Sequence, residues 1–146
     1  MSREYPQRPI LAVGAVVMRG EEVLLVKRGR EPSAGIWSIP GGVVRLGEPL
    51  EEAVRREVME ETGIRVRPVC PLKTVERILP DGGRIKFHYI IVDYACLVES
   101  GAIEAGSDAA QAVWAHWNDL DRFHLSQETL DVLALGREVL LRGRNP

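Results

Sequence analysis

The segment from residue 42 to residue 64 constrains the fold of this chain more than any other feature of its sequence. It carries seven fixed residues and two apolar positions in the array G-x5-E-x7-R-E-U-x-E-E-x-G-U, where U is apolar. The members of the array are Gly42, Glu48, Arg56, Glu57, Val58, Glu60, Glu61, Gly63 and Ile64. At average residue frequencies, chance agreement somewhere in a chain of 146 residues has odds on the order of one in ten million. We therefore interpret the array as a functional motif that consists of a loop followed by a helix.

The local signals within this segment predict one helix. Pro49 suits the first helical turn, and Glu51 and Glu52 suit the positive end of the helix dipole. Gly63 suits the left-handed residue that ends a helix. We therefore predict a helix over about residues 49–62, preceded by a loop rich in glycine and proline.

Three acidic side chains fall on the inward side of that helix. With about 100° of rotation per residue, Glu57, Glu60 and Glu61 lie on the apolar stripe that begins at Leu50, or at its edge. A solvated helix explains the charges of the outer face but not these three. Ionised carboxylates that are close together and partly desolvated repel one another unless a cation binds them. Oxygen ligands suit Mg²⁺ or Mn²⁺, so the pattern predicts a divalent metal site.

The array is the Nudix box, and through it the chain resembles the Nudix hydrolases. The resemblance implies the α/β class, in the form of an α/β/α sandwich with a mixed sheet. It also implies attack of water on the diphosphate bond of a nucleoside diphosphate derivative, with Mg²⁺ as cofactor. Glu57 and Glu61 are the main predicted metal ligands, and Glu60 is a further one. The implied catalytic set adds Arg56 and Glu48, which in the family brace the helix against the loop.

The choice of substrate rests on one residue downstream of the box. Pro80 lies sixteen residues beyond Ile64, and a proline at about that distance marks the ADP-ribose pyrophosphatase branch of the family. The resemblance therefore implies hydrolysis of ADP-ribose to AMP and ribose 5-phosphate, although Pro80 also suits the turn of a hairpin. Two alternatives stay open. One is a house-cleaning pyrophosphohydrolase of oxidised nucleoside triphosphates, and the other is a non-catalytic nucleotide-binding regulatory module.

Five other residues are candidates for substrate binding. Arg28, at the end of a predicted strand, resembles a basic residue that relatives direct at phosphate, although a solvated strand end explains it equally well. Gly41 and Gly42 lie in the loop where the array begins. Phe123 and His124 fall where relatives often line the nucleotide pocket, while a lone histidine is more often structural.

The general base is less well defined by the sequence. Many relatives carry a glutamate just before the last strand, and this chain has Gln111 there, which cannot accept a proton as a carboxylate does. Asp108 and Glu104 are nearby acids that can replace it, although solvated loop residues are the commoner outcome. A glutamate of the box is the other possibility.

Apolar and alternating segments predict the remaining elements. The strands cover residues 10–18, 23–26, 36–39, 66–79, 84–98 and 112–117, and a second helix covers residues 125–141. The sequence shows no internal repeat and no linker, and 146 residues suit one core. We therefore expect a single domain over residues 1–146.

The composition of the chain limits the binding partners and the cellular location that we expect. Nineteen basic and 21 acidic residues give a net charge of -2, which predicts no polymeric nucleic acid partner. No apolar run reaches the roughly 18 residues of a membrane span, and the start carries no signal peptide, so we expect a cytoplasmic protein without a membrane partner. Cys70 and Cys96 are too few for a disulfide scaffold and are expected to stay reduced. A homodimer is a family expectation.

Overall fold

The computed structural model describes residues 3–29, 34–104 and 109–143. In chain order the strands are β1 Ile10–Arg19, β2 Glu22–Arg28, β3 Trp37–Ser38, β4 Gly41–Val43, β5 Arg65–Asp81, β6 Arg84–Ser100 and β7 Ala109–His116. Helix α1, Leu50–Thr62, lies between β4 and β5. A 3₁₀ helix, Trp117–Phe123, and helix α2, Gln127–Arg142, follow β7.

The strands form one mixed sheet within the described part of the chain. The main order is β3-β2-β1-β6-β5, with β4 paired to β1 and β7 paired to β2. Strands β1 and β6 are parallel, and every other pairing is antiparallel. The predicted mixed sheet is confirmed.

The two helices cover opposite faces of this sheet. Val13 and Val17 of β1 share a core cluster with Val58 of α1. Val16 of β1, which points the other way because strand side chains alternate, shares a second cluster with Leu133 of α2. Since both faces are covered, β1 is apolar over nearly its whole length and buried from residue 12 to residue 18. This is the α/β/α sandwich that the resemblance implies.

The neighbour of β1 changes along one of its edges. Residues 12–14 of β1 pair with β4, whereas Met18 and Arg19 pair with β2. Strand β2 then diverges from β1 and pairs with β3 along the same edge, while β7 pairs with the other edge of β2 over Glu22–Arg28. The divergence opens a cleft between the first half of β1 and the last residues of β2, and the cleft is lined on the other side by β6 and the first turn of α2.

The predicted end of α1 at Gly63 is confirmed, while Pro49 precedes the helix as its N-cap. Gly63 ends α1 in the left-handed conformation, with φ 77°, and Ser126 caps α2 by accepting a hydrogen bond from the Thr129 N–H. The last strand differs, because it ends at His116 and the chain turns into the 3₁₀ helix at Trp117. His116 causes this end by accepting a hydrogen bond from the Asn118 N–H.

Two further expectations are tested by the fold. Cys70 and Cys96 are free thiols, and burial raises the pKa of Cys96 to about 12. Among the residues described, neither α1 nor α2 is long and apolar enough to cross a membrane.

Candidate active site

Helix α1 presents two of its carboxylates to the cleft. Glu57 and Glu61 are only 7% and 5% exposed, and both line the cleft. Glu60 is set apart from these two, because its side chain is 39% exposed and it does not line the cleft. The difference follows from helix geometry, since Glu60 lies at the edge of the apolar stripe and about 100° from Glu61.

Strand β4 packs against these two carboxylates through residues without side chains. The Gly41 N–H donates to Glu61 Oε1 over a long 3.4 Å. At Gly42, a Cβ atom would lie 2.7 Å from Glu57 Oε1 and closer still to Oε2 and Cδ of the same side chain. Only glycine leaves room for the carboxylate there, so β4 fixes where Glu57 can lie.

Arg56 connects the helix to the loop before it. Its guanidinium donates to both oxygens of Glu48, from Nε to Oε2 at 2.7 Å and from Nη2 to Oε1 at 2.8 Å. Nη2 also donates to the Val43 carbonyl at 3.0 Å, and Nη1 donates to Glu57 Oε1 at 2.6 Å. Paired arginine and carboxylate groups of this geometry are among the stronger side-chain contacts. The structure thus places Arg56 and Glu48 where they hold the loop and orient Glu57.

The ion pair between Arg56 and Glu48 shifts the pKa of both groups. The Arg56 hydrogen bond holds the pKa of Glu48 at about 2, and the Arg45 N–H, which donates to Glu48 Oε1 at 3.1 Å, acts in the same direction. In return the Glu48 carboxylate raises the pKa of Arg56. Both groups are therefore charged at neutral pH.

The carboxylates of α1 meet part of what a divalent ion requires. Glu57 and Glu61 carry carboxylate oxygens at a buried site, and oxygen is the donor atom that Mg²⁺ or Mn²⁺ prefers. Across the described residues, no group of three or more His, Cys, Asp or Glu side chains is arranged to hold a metal. Glu60 lies apart because its carboxylate contacts Arg45 at 3.5 Å and Arg56 at 3.3 Å. Two of the three predicted ligands therefore fit a hard cation directly, and the third is paired with arginines.

The rest of the cleft combines positive and negative charge with an apolar wall. Its basic lining residues are Arg3, Lys27, Arg28 and Arg77, and its acidic ones beyond α1 are Asp93 and Glu128. Arg28 is partly buried, which lowers its pKa, while the nearby Glu61 carboxylate opposes that shift. Basic side chains beside buried carboxylates suit a ligand that carries phosphate and binds together with a cation.

Three of the predicted substrate-binding residues line this cleft, namely Arg28, Gly41 and Gly42. The other three do not. Pro80 is exposed near the turn of the β5–β6 hairpin, Phe123 is buried edge-on against Trp37 at a centroid distance of 5.1 Å, and His124 is exposed. Phe123 is thus part of the core under the 3₁₀ helix.

Glu104 lies away from the residues that line the cleft. Glu104 is exposed just beyond the carboxyl end of α1, where its N–H donates to the Thr62 carbonyl at 2.7 Å. Asp108 lies outside the described residues. Gln111 is exposed on β7 opposite Lys27 of β2.

Several cleft residues are absent from the sequence-based prediction. Arg77 on β5, Asp93 on β6 and Glu128 on α2 come from elements far apart in the chain. The sequence around one of them, Asp93, contains a signal that could have predicted its importance. Asp93 is a charged residue in the middle of the apolar run IIVDYAC, and alternation along a strand places it on the face opposite Tyr94 and Val92.

Comparison with known proteins agrees with this geometry. The sequence matches the NUDIX domain family over residues 8–135. It is 32% identical over 124 residues to the ADP-ribose pyrophosphatase of Methanocaldococcus jannaschii, an alignment that spans 84% of this chain and 70% of that protein.

Two solved structures are similar in fold. The MutT NUDIX hydrolase from Burkholderia pseudomallei has a TM-score of 0.73 and 32% identity, covering 88% of this chain and 98% of its own. The NUDIX domain of Shewanella oneidensis NrtR, solved with ADP ribose, has a TM-score of 0.72 and 26% identity, covering 92% and 90% of the two chains. The chain belongs to the Nudix hydrolases, and it is an enzyme that acts on phosphoanhydride bonds.

Proposed function

We propose that this enzyme uses Mg²⁺, or Mn²⁺ in its place, to hydrolyse the diphosphate bond of nucleoside diphosphate derivatives, and that its preferred substrate is ADP-ribose. The products would be AMP and ribose 5-phosphate. The observation that carries the proposal is one cleft lined both by the buried carboxylates of Glu57 and Glu61 and by Arg28. Similarity to an ADP-ribose pyrophosphatase and to a NUDIX domain bound to ADP ribose supports the choice of substrate.

Each residue of the site has a part in this reaction. Glu57 and Glu61 would hold the metal, which when bound neutralises phosphate charge and activates water. Arg28 binds the diphosphate, because its guanidinium lies at the cleft and can pair with phosphate oxygens. Arg56 keeps the Glu57 carboxylate in place through the 2.6 Å hydrogen bond. Glu48 in turn holds Arg56, so its contribution to catalysis is positional.

The base that takes the proton from water is assigned to a carboxylate of the box. Of the two loop acids, Glu104 is exposed at the end of α1 and is not part of the cleft lining. Glu57 and Glu61, by contrast, are buried at the place where the diphosphate would bind. A general base must lie within hydrogen-bond reach of the proton that it removes.

The proposal includes the organisation of the protein. We assign residues 1–146 to one domain that acts as a homodimer in the cytoplasm on a small-molecule nucleotide, with no polymeric nucleic acid and no membrane as partner. The apolar side chains of Ile78, Leu79 and Ile85, exposed near the turn of the β5–β6 hairpin, support association of two copies. Light scattering during gel filtration tests this, and a monomer mass would refute it.

Product analysis tests the activity. The enzyme is incubated with Mg²⁺ and a mixture of ADP-ribose, other sugar nucleotides, diadenosine polyphosphates and nucleoside triphosphates, and the products are separated by chromatography. AMP and ribose 5-phosphate appearing first, and disappearing with chelator, would support the proposal. Pyrophosphate with a nucleoside monophosphate would show the triphosphate enzyme instead. Nucleotide binding without turnover of any substrate would show the regulatory module.

Substitution on α1 tests the metal ligands. Glu57→Gln and Glu61→Gln are expected to lower kcat by about 10³-fold or more, because each removes a charged ligand from the reacting centre. Glu51→Gln, on the solvent side of the same helix, is the matched control and should keep wild-type rates. Near-normal Mg²⁺-dependent turnover by both cleft variants would contradict the assignment.

A further inference from the structure

Asp93 is a buried acid in the cleft that the reaction as described above does not use. It lies on β6 on the face that α2 covers, it is 5% exposed, and it lines the cleft. Its carboxylate lies over Gly14 of β1, where an added Cβ would overlap Asp93 Oδ1 and lie 3.4 Å from its Cγ. The side chain therefore occupies space that exists because residue 14 has no side chain.

The described residues offer this carboxyl group no hydrogen bond and no ion pair. Three charged side chains act on it from a distance. They are Lys73, which is its partner in the β5–β6 register, Arg77 and Glu128. Arg77 forms an ion pair with Glu128, so the Glu128 carboxylate largely neutralises its charge. Burial, with a smaller effect from Glu128, raises the pKa of Asp93 to about 7.

A group of this kind lowers the stability of the fold. A buried polar group without a hydrogen bond carries a desolvation penalty, and the distant charges of Lys73 and Arg77 offset only part of it here. The other cleft residues of the same strand, Tyr89 and Ile91, are apolar or largely so. Asp93 does not stabilise the core, and its oxygens face a ligand cleft. We therefore expect it to form its hydrogen bond with the ligand.

The position and the chemistry of Asp93 show which part of the ligand it can bind. Gly14 is the register partner of Asp93 on one side and of Gly41 on the other. Two strand spacings, or about 10 Å, therefore separate the backbones of Asp93 and Gly41, but the Asp93 carboxylate lies over Gly14 and is about one spacing, or about 5 Å, from Gly41. Gly41 donates to Glu61, which marks the diphosphate end of the cleft. A carboxylate accepts hydrogen bonds, and ionised phosphate oxygens have no proton to donate, so Asp93 pairs with the sugar or the base rather than with the phosphates.

We infer that Asp93 binds the nucleoside part of the substrate by accepting a hydrogen bond from a hydroxyl or N–H group. The inference rests on the proposed function, because it takes Glu57 and Glu61 as the centre of reaction. The apolar side chains of Val26, Ile91 and Val132 line the same cleft and supply a surface for the sugar or base. Asp93 is thus a substrate-binding residue that determines specificity.

Kinetics of Asp93→Asn with ADP-ribose and Mg²⁺ test this role. Asparagine keeps the shape of the side chain but removes the charge, so KM is expected to rise by about 10-fold or more, while kcat changes by less than about 3-fold. The melting temperature at about pH 8 is expected to rise in the same variant. A merely structural role would lower the melting temperature and leave KM unchanged. Asp119→Asn, at an exposed acid of the 3₁₀ helix, is the matched control.

Substrate analogues separate a sugar hydroxyl from a base N–H. If the partner is the ribose 2′-hydroxyl, 2′-deoxy-ADP-ribose should weaken binding to the wild type and show no further loss with Asp93→Asn. If the partner is the adenine amino group, the hypoxanthine analogue of ADP-ribose should instead bind the wild type more weakly and show no further loss with Asp93→Asn. Unchanged KM for all three substrates in Asp93→Asn would overturn the inference.

Binding of AMP distinguishes failure of this inference from failure of the proposed function. Wild-type turnover of ADP-ribose with equal AMP affinities of wild type and Asp93→Asn, measured by calorimetry, would refute the role of Asp93 alone. Absence of turnover in the wild type would refute the proposed function. In that case weaker binding of AMP by Asp93→Asn would still support the nucleoside contact, and equal or undetectable binding would overturn it.

Discussion

Replacing Gly42 by alanine is expected to remove most of the activity while the protein stays folded. Gly42 lies on β4 with its Cα facing the Glu57 carboxylate, and an added Cβ would lie 2.7 Å from Glu57 Oε1. Ordinary contact with a Cβ begins at about 3.4 Å, so the carboxylate has to move by at least about 0.7 Å, and by more at its Cδ. The move also disturbs the 2.6 Å hydrogen bond from Arg56.

The size of the effect follows from this displacement. A shift of about 1 Å in a catalytic group can lower the rate by about 10²-fold, and we expect a loss of that order in kcat for Gly42→Ala. Stability should change little by comparison. Steric strain of about 1 to 3 kcal/mol is partly offset by about 0.5 to 1 kcal/mol, because alanine has less freedom than glycine in the unfolded chain.

The assay compares Gly42→Ala with Gly83→Ala, a glycine in the hairpin turn with no atom within 4 Å of an added Cβ. Hydrolysis of ADP-ribose gives kcat, Mn²⁺ binding followed by paramagnetic resonance gives metal affinity, and circular dichroism reports folding. Gly83→Ala should keep both activity and Mn²⁺ affinity. A Gly42→Ala enzyme within about 3-fold of the wild-type rate, with unchanged Mn²⁺ affinity, would refute the claim that β4 positions Glu57.

Three further predictions concern stability and its dependence on pH and metal. Since the pKa of Glu48 falls from 4.5 to about 2 on folding, its pairing with Arg56 stabilises the protein above about pH 4.5 and is lost as pH falls toward 2. Glu48→Gln should therefore cost about 2 to 3 kcal/mol at neutral pH, with the difference from wild type vanishing near pH 2 in urea titrations. The pKa of Asp93 rises from 3.8 to about 7, so wild-type stability should fall as pH rises from about 4 to 7, and Asp93→Asn should be more stable by about 2 to 4 kcal/mol at about pH 8. A variant no more stable than wild type there would contradict that assignment. Addition of Mg²⁺ at about 100 times its Kd should stabilise the wild type by about 2.7 kcal/mol, and Glu57→Gln should lose this gain in thermal melts; an equal gain in both proteins would place the ion elsewhere.

The sequence by itself determined the family, the α/β class and the geometry of helix α1. The spacing of the box sets which side chains share a face, since about 100° of rotation per residue is a property of any helix. It therefore predicted that Glu57 and Glu61 turn inward, and both are buried. The same arithmetic placed Glu60 only at the edge of that face, and there the contacts of Arg45 and Arg56 decided its position.

Only the tertiary structure decided what else lies in the cleft. Arg77, Asp93 and Glu128 meet because β6 pairs in parallel with β1, far away in sequence, and because α2 packs with its first turn over the same part of the sheet. Such contacts depend on which strands become neighbours, and that choice minimises exposed apolar surface over the whole chain rather than within any one segment. Local patterns describe the faces of each strand and helix, but they do not show which faces meet.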